Sequence, residues 1–293
     1  MPSLTVIGDV NVEISGRVEI PFSRIEDDLL AYGPLTMRIG GTAPNFASAA
    51  CGLFEPVHVL GCVGADELGL WAEQSLKNMG VDARLRRDPS LPTGLAVSIR
   101  DSTASGGLRL LLVRSDNANR MLDGTHIASN VETLTGADFF VTDGYSLLRE
   151  PRRRATLAAM RTAATDGAQV VVDVVPHDCY RLIGHSDLRE WLAFAHIVVA
   201  EVRTVRRLLG LSTPESIIDL PLALEAMERL HRAFPGRSLL LRFGEKNIAE
   251  SLVCRPGRGH LHRFTGFTGG SASQDFGDEL TVGELAQYFF RVS

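Results

Sequence analysis

Six short, almost wholly apolar runs recur along the chain: Leu4–Val10, Val57–Val63, Asp138–Thr142, Gln169–Val175, His196–Ala200 and Ser238–Phe243. Several are apolar at successive positions rather than at alternate ones. That pattern suits strands covered on both faces, and a sheet buried on both faces is a parallel sheet with helices above and below it. Amphipathic stretches of helical length lie between the runs, at Glu67–Met79, Pro151–Thr165, Val202–Leu209 and Leu222–Ala233. The alternation predicts an α/β fold, a parallel-sheet three-layer sandwich. A second texture occurs at Val12–Ile20, Leu35–Ile39, Gly94–Arg100 and Leu108–Arg114, where apolar and polar residues alternate and turns such as Ser105-Gly106-Gly107 intervene. These segments predict a small antiparallel sheet with one face in solvent. They are discontinuous along the chain, so the pattern does not fix how they pair. The 293 residues suffice for one large core, and 1–293 is read as a single domain with the small sheet drawn from about 12–20, 35–39 and 94–114.

Composition narrows the partners. A net charge of −5 disfavours a nucleic-acid surface, which needs a clustered excess of cations. Nearly every basic residue is arginine; Lys77 and Lys246 are the two lysines. No apolar run is long enough to cross a bilayer, and the chain opens on the strand-like Leu4-Thr5-Val6-Ile7 rather than on a charged-then-apolar leader. Cys51, Cys62, Cys179 and Cys254 are scattered in apolar surroundings without C-x-x-C spacing. Free thiols in a reducing cytoplasm are the expectation.

The run Gly40-Gly41-Thr42-Ala43-Pro44-Asn45 carries the most chemistry. Two glycines let backbone approach a small ligand closely, and Asn45 offers a donor and an acceptor to a hydroxyl. Phe46 to Leu53 reads as a helix behind them, whose free N–H groups would face the ligand. Gly8-Asp9-Val10-Asn11-Val12-Glu13 follows the first strand without a G-x-G-x-x-G, which disfavours a dinucleotide fold. Together with Gly64 to Gly69, Pro92-Thr93-Gly94 and Asn117-Ala118-Asn119, these segments resemble the ribokinase-like, or phosphofructokinase-B, family of sugar and nucleoside kinases. The resemblance implies that the small sheet is a lid over a sugar site. It also implies that Asn11, Glu13, Gly40, Gly41 and Asn45 hold the acceptor, with Glu13 where the family has the shorter Asp. Read without the family, Asp9, Asn11 and Glu13 would simply cap or solvate a strand end.

The second half follows the family less faithfully. The family's Gly-Ala-Gly-Asp loop, which opens a helix, supplies the base and an anion hole for phosphoryl transfer. Here Gln274-Asp275-Phe276-Gly277-Asp278 stands in its place. Gly277 and Asp278 keep the register, so the resemblance makes Asp278 the base and the Gly277–Asp278 N–H groups the anion hole. Without it, Asp278 is a helix-capping carboxylate. Asp275 and Phe276 replace a glycine and an alanine beside the phosphates, where a carboxylate repels the moving phosphoryl unless a cation intervenes. The family's Asn-x-x-Glu, which orders magnesium, aligns with Ala200-Glu201-Val202-Arg203. Arg203 reverses the expected sign, and Glu201 is left as the metal-side carboxylate. On the nucleotide side, Arg242, Gly244 and Lys246 are aligned; Arg242 and Lys246 are either phosphate-binding point charges or a solvated strand end. Family members continue further beyond the base than Ser293, so the nucleotide pocket is expected to be incomplete or completed by another subunit. The Arg152-Arg153-Arg154 run opens a helix and is read as a solvated face.

Two readings lead, ahead of a third in which a kinase uses a non-standard phosphate donor. In the first the chain is an ATP-dependent, Mg2+-requiring kinase acting on a hydroxyl of a sugar, cyclitol or nucleoside. In the second it keeps the sugar pocket as a regulator or sensor without phosphoryl transfer. Cysteine usage, charge and the lengths of the apolar runs give the expectation of a cytoplasmic protein with no nucleic-acid or membrane partner, and the resemblance implies a homodimer through the lid.

Overall fold

A computed structural model describes residues 1–28, 30–101, 109–174, 181–214, 217–244, 250–255 and 258–265. Among these residues the main sheet has nine strands: β1 (Leu4–Ile7), β4 (Val57–Gly64), β5 (Asp82–Asp88), β8 (Phe139–Asp143), β9 (Gln169–Val174), β10 (Ile197–Glu201), β11 (Ser238–Phe243), β12 (Glu250–Arg255) and β13 (Arg258–Thr265). The spatial order is β13-β12-β11-β10-β9-β8-β1-β4-β5. From β5 to β11 all neighbours are parallel, and β12 and β13 add antiparallel strands at one edge. The continuous apolar runs are the central strands of this sheet. Val170 and Val172 point into one layer while Val171 and Val199 point into the other, and all four are buried.

Helices cover both faces. On one side α1 (Thr42–Ala50) and α2 (Glu67–Asn78) pack Ala43, Phe46, Ala47, Ala72 and Leu76 against Val6, Val141, Val171 and Val199. On the other, α3 (Arg152–Asp166), α4 (Val202–Leu208) and α5 (Leu220–Ala233) bury their apolar stripes, joined by Trp191. The helix α1 begins four residues earlier than the sequence suggests. Pro44 is its third residue, and the first turn tolerates proline because its N–H groups lack helical partners anyway.

The second sheet is built from β2 (Asn11–Val18), β3 (Leu35–Gly40), β6 (Gly94–Asp101) and β7 (Arg109–Val113), in the order β3-β2-β6-β7. Its outer pairs are antiparallel, and the central β2–β6 pair is parallel. Three residues separate the end of β1 from the start of β2, so this sheet rises directly from the C-terminal edge of the main one. No helix among the described residues is long and apolar enough to cross a membrane.

Candidate active site

The junction between the two sheets gathers the first half's polar motifs. Asn11 opens β2 and is flanked by Gly40 on β3 and Gly94 on β6. Its Oδ1 accepts a 2.8 Å bond from Asn119 Nδ2, and Asn119 Oδ1 accepts the Val10 N–H at 2.8 Å. A Cβ on Gly94 would lie 1.9 Å from Asn11 Oδ1, so the clasp exists only because residue 94 has no side chain. Asp66, the N-cap of α2, holds that glycine in place: its Oδ2 accepts the Thr93 N–H at 2.8 Å and its Oδ1 the Gly69 N–H at 2.9 Å. The motifs around residues 66, 94 and 119 therefore form one hydrogen-bonded assembly that fixes Asn11.

Gly41 is the N-cap of α1, at φ +93°, a conformation that strains any L side chain. A Cβ there would sit 2.3 Å from the Asp9 carbonyl oxygen. That carbonyl accepts the Ala43 N–H at 3.3 Å, Pro44 brings no N–H, and the Asn45 N–H bonds Gly41 within the helix. Of the N–H groups of this turn expected to face a ligand, those of Ala43 and Asn45 are thus already bonded within the protein. Asn45 itself lies in the first turn of α1, partly exposed.

Glu13 follows Asn11 on the same face of β2. It is buried and lies 3.3 Å from Arg38 on β3 and 3.6 Å from Arg109 on β7. Asp9 forms an ion pair with Arg152, whose second nitrogen donates to Ser146 Oγ at 2.6 Å. These contacts exclude mere solvation of a strand end. They also correct the reading of the arginine run: Arg152 is 5% exposed and serves the site, Arg153 bridges Asp187 and Glu190, and Arg154 alone projects into solvent. Arg152 sits one helical residue past Pro151, and its partner Asp9 is far away in sequence, which hid the pairing.

A row of ionisable groups runs along the same edge, across neighbouring strands. Asp143 pairs in register with Asp173, and Glu201 with Arg242; Val199, opposite Asp173, puts Glu201 on the same face. Asp143 accepts from Thr42 Oγ1 and takes the Ser146 N–H at 2.9 Å. Burial pushes its acidity down, against the pull of Arg152. Asp173 is fully buried, 3.8 Å from Arg242, and neither carboxylate oxygen has a hydrogen-bond partner among the described residues. Burial raises its pKa to about 6 and that of Glu201 to about 7, while Arg242 opposes both shifts. Arg242 is 1% exposed, so a solvated strand end is excluded. Gly244 ends the strand with a 3.2 Å N–H bond to the Ile218 carbonyl. Arg203, which reverses the expected sign, donates to the Pro214 carbonyl at 2.5 Å and thereby ties down the segment after α4.

Asp143 and Asp173 are site residues that the sequence motifs did not single out, while Asn119 and Arg152 stood in quoted segments without a role at the site. The available signal was an aspartate inside or ending an apolar strand run, as in Gln169–Val174 and Phe139–Asp143. Lys246, Asp275, Phe276, Gly277 and Asp278 lie outside the described residues. No cluster of three or more His, Cys, Asp or Glu side chains converges as a metal site among the described residues.

The arrangement resembles known proteins in fold and in sequence. The structure superposes on Arabidopsis thaliana ribokinase complexed with ribose and ATP with a TM-score of 0.75 at 19% identity, covering 98% of this chain and 86% of that one. A ribokinase from Giardia lamblia gives 0.74 at 17% identity, over 99% of this chain and 85% of that one. Fructokinase-1 of Oryza sativa subsp. japonica is 34% identical over 147 residues, which is 49% of this chain and 44% of the relative. A 5-dehydro-2-deoxygluconokinase of Mesomycoplasma hyopneumoniae (strain J) is 25% identical over 217 residues, 70% of this chain and 62% of the relative. The chain thus spans about half the length of the curated relatives it matches. The model of the pfkB family carbohydrate kinases matches residues 1–233, across the amide clasp, the glycine turn and the carboxylate row alike, and the chain belongs to that family.

Proposed function

We propose that this chain is an ATP-dependent kinase that phosphorylates a hydroxyl of a small sugar, cyclitol or nucleoside. One observation carries the reading: Asn11, Gly40 and Gly41 meet where the lid leaves the C-terminal edge of the parallel sheet, and a row of ionisable groups leads away from them along that edge. Open α/β sheets bind ligands at the carboxyl ends of their strands. Asn11, Glu13, Gly40, Gly41 and Asn45 form the acceptor side. The donor side is Glu201, Gly244, Lys246, Asp275 and Phe276, with Arg242 setting the charge of Asp173 and Glu201 from behind. Asp278 takes the acceptor proton, and the Gly277–Asp278 N–H groups receive the developing negative charge; both assignments rest on their register in the family's loop.

Magnesium binds through one or two carboxylates together with phosphates and waters. Glu201, largely buried at the end of β10, fits a Mg2+ carried mainly by the nucleotide. When bound, the ion would neutralise phosphate charge. The exposed apolar face of the lid, formed by Leu35, Met37, Leu110 and Leu112, supports a homodimer through the lid. The described cysteines are all unpaired, in keeping with a cytoplasmic protein.

The names of the relatives favour the kinase over a non-catalytic sensor. The test is acceptor-dependent ADP formation from Mg-ATP across a panel of pentoses, hexoses, cyclitols and nucleosides. Turnover that vanishes in Asp278→Asn, with acceptor affinity retained, is expected. Unchanged turnover in that variant removes the proposed base.

A further inference from the structure

Arginine is concentrated on the lid face that carries Asn11. Residues paired in register share a face, so Arg38 opposite Glu13, Arg100 opposite Arg17 and Arg109 opposite Arg100 all lie on the side of Asn11 and Glu13. Four guanidinium groups therefore share a face on which Glu13 is the only carboxylate among the described residues. Glu13 lies between two of them, 3.3 Å from Arg38 and 3.6 Å from Arg109, with Oε1 lacking a hydrogen bond among the described residues. Burial holds the Arg100 guanidinium below its usual proton affinity, and Arg109 and Arg17 add to that effect against Glu13. Arg38 and Arg109 remain partly open to solvent, so a ligand seated on Asn11 can reach them. The step from Asn11 to Glu13 is about 7 Å along the strand, the length of a small sugar.

A neutral sugar seated on Asn11 offers no charge to the solvent-accessible forks of Arg38 and Arg109 that flank Glu13. Planar guanidinium forks match carboxylate and phosphate oxygens. We propose that the acceptor is an anionic sugar derivative, a sugar acid or a sugar phosphate, whose charged group is held by Arg38 and Arg109 while Asn11 holds its hydroxyls. This inference rests on the acceptor side assigned above and narrows the substrate class. The longer Glu13 then has a purpose: its carboxylate reaches into the arginine cluster and keeps the forks together in the free protein.

The test is calorimetric titration of the full chain with matched neutral and anionic compounds, D-glucitol against D-gluconate and D-fructose against D-fructose 6-phosphate. At least one anionic member is expected to bind about tenfold or more tighter than its neutral partner, the scale of one charged hydrogen bond. High ionic strength and the double variant Arg38→Gln/Arg109→Gln are both expected to erase that preference. A preference for gluconate identifies a carboxylate, and one for fructose 6-phosphate identifies a phosphate. Equal affinity within both pairs, tighter neutral binding, or no binding of any of the four overturns the proposal. A separate ADP assay distinguishes the two levels: anionic preference without ATP turnover sinks the kinase reading alone, and turnover restricted to neutral sugars sinks the anionic acceptor alone.

Discussion

Replacing Gly94 by alanine tests whether the amide clasp holds the acceptor side together. The added Cβ would fall 1.9 Å from Asn11 Oδ1 and 2.6 Å from Asn119 Nδ2. Both atoms belong to buried side chains already bonded to each other at 2.8 Å. Reaching ordinary contact requires one of them to retreat by more than about 1 Å, which breaks that bond. Overpacking a well-filled site costs about 1–3 kcal/mol, and losing a buried hydrogen bond adds roughly 1 kcal/mol. The sum predicts a loss of about 2–4 kcal/mol in urea unfolding. Acceptor affinity is expected to fall further than stability alone explains, because Asn11 leaves its position. Gly124→Ala is the control, since nothing lies within 4 Å of a Cβ there; it should be neutral or stabilising by up to about 1 kcal/mol. Wild-type stability and unchanged acceptor binding in Gly94→Ala would refute the clasp.

The two halves of the arginine run should separate cleanly. Arg152→Met leaves Asp9 and Asp143 without their buried counter-ion and is expected to cost about 3–5 kcal/mol in chemical unfolding, whereas Arg154→Ala should stay within about 0.5 kcal/mol of wild type. The raised pKa values of Asp173 (about 6) and Glu201 (about 7) give stability a definite slope. In the unfolded chain both carboxyls ionise near 4, so the folded state holds extra protons above that pH, and stability is lost as pH rises through 6 and 7. Thermal unfolding should show a melting temperature that declines from about pH 5 to about pH 8, with the decline reduced in Glu201→Gln; a rise over that range contradicts the burial argument. Charges placed on the lid's apolar face, as in Met37→Asp with Leu112→Asp, are expected to convert a dimer into a monomer in sedimentation velocity. An unchanged sedimentation coefficient for a dimeric species places the interface elsewhere.

The sequence revealed the sheet where physics left one option. Val170, Val171 and Val172 are apolar in succession because β9 is covered on both faces, and a run of that kind has few other uses. The edge strand β5 escaped notice because Arg84, Arg86 and Arg87 give it the charged composition of an edge. The parallel β2–β6 pairing was invisible because register depends on residues some 80 positions apart, brought together by the Asp66–Thr93 bonds. The same reason separates the legible from the hidden parts of the site. Asn11, Gly40 and Gly41 stand in short local motifs, while Arg152 and Asp173 acquire meaning only from Asp9 and Arg242, which no local pattern links to them. A charged residue inside an apolar strand was the clue available for Asp173.

The measurement closest to the central claim is a crystal structure of the chain with Mg2+, a non-hydrolysable ATP analogue and a bound acceptor. The account predicts the acceptor seated against Asn11 and the Gly40–Gly41 turn, with one hydroxyl within about 3 Å of the Asp278 carboxylate and pointing at the terminal phosphate. An acceptor bound elsewhere, or Asp278 on the far side of the main sheet from Gly41, would contradict it.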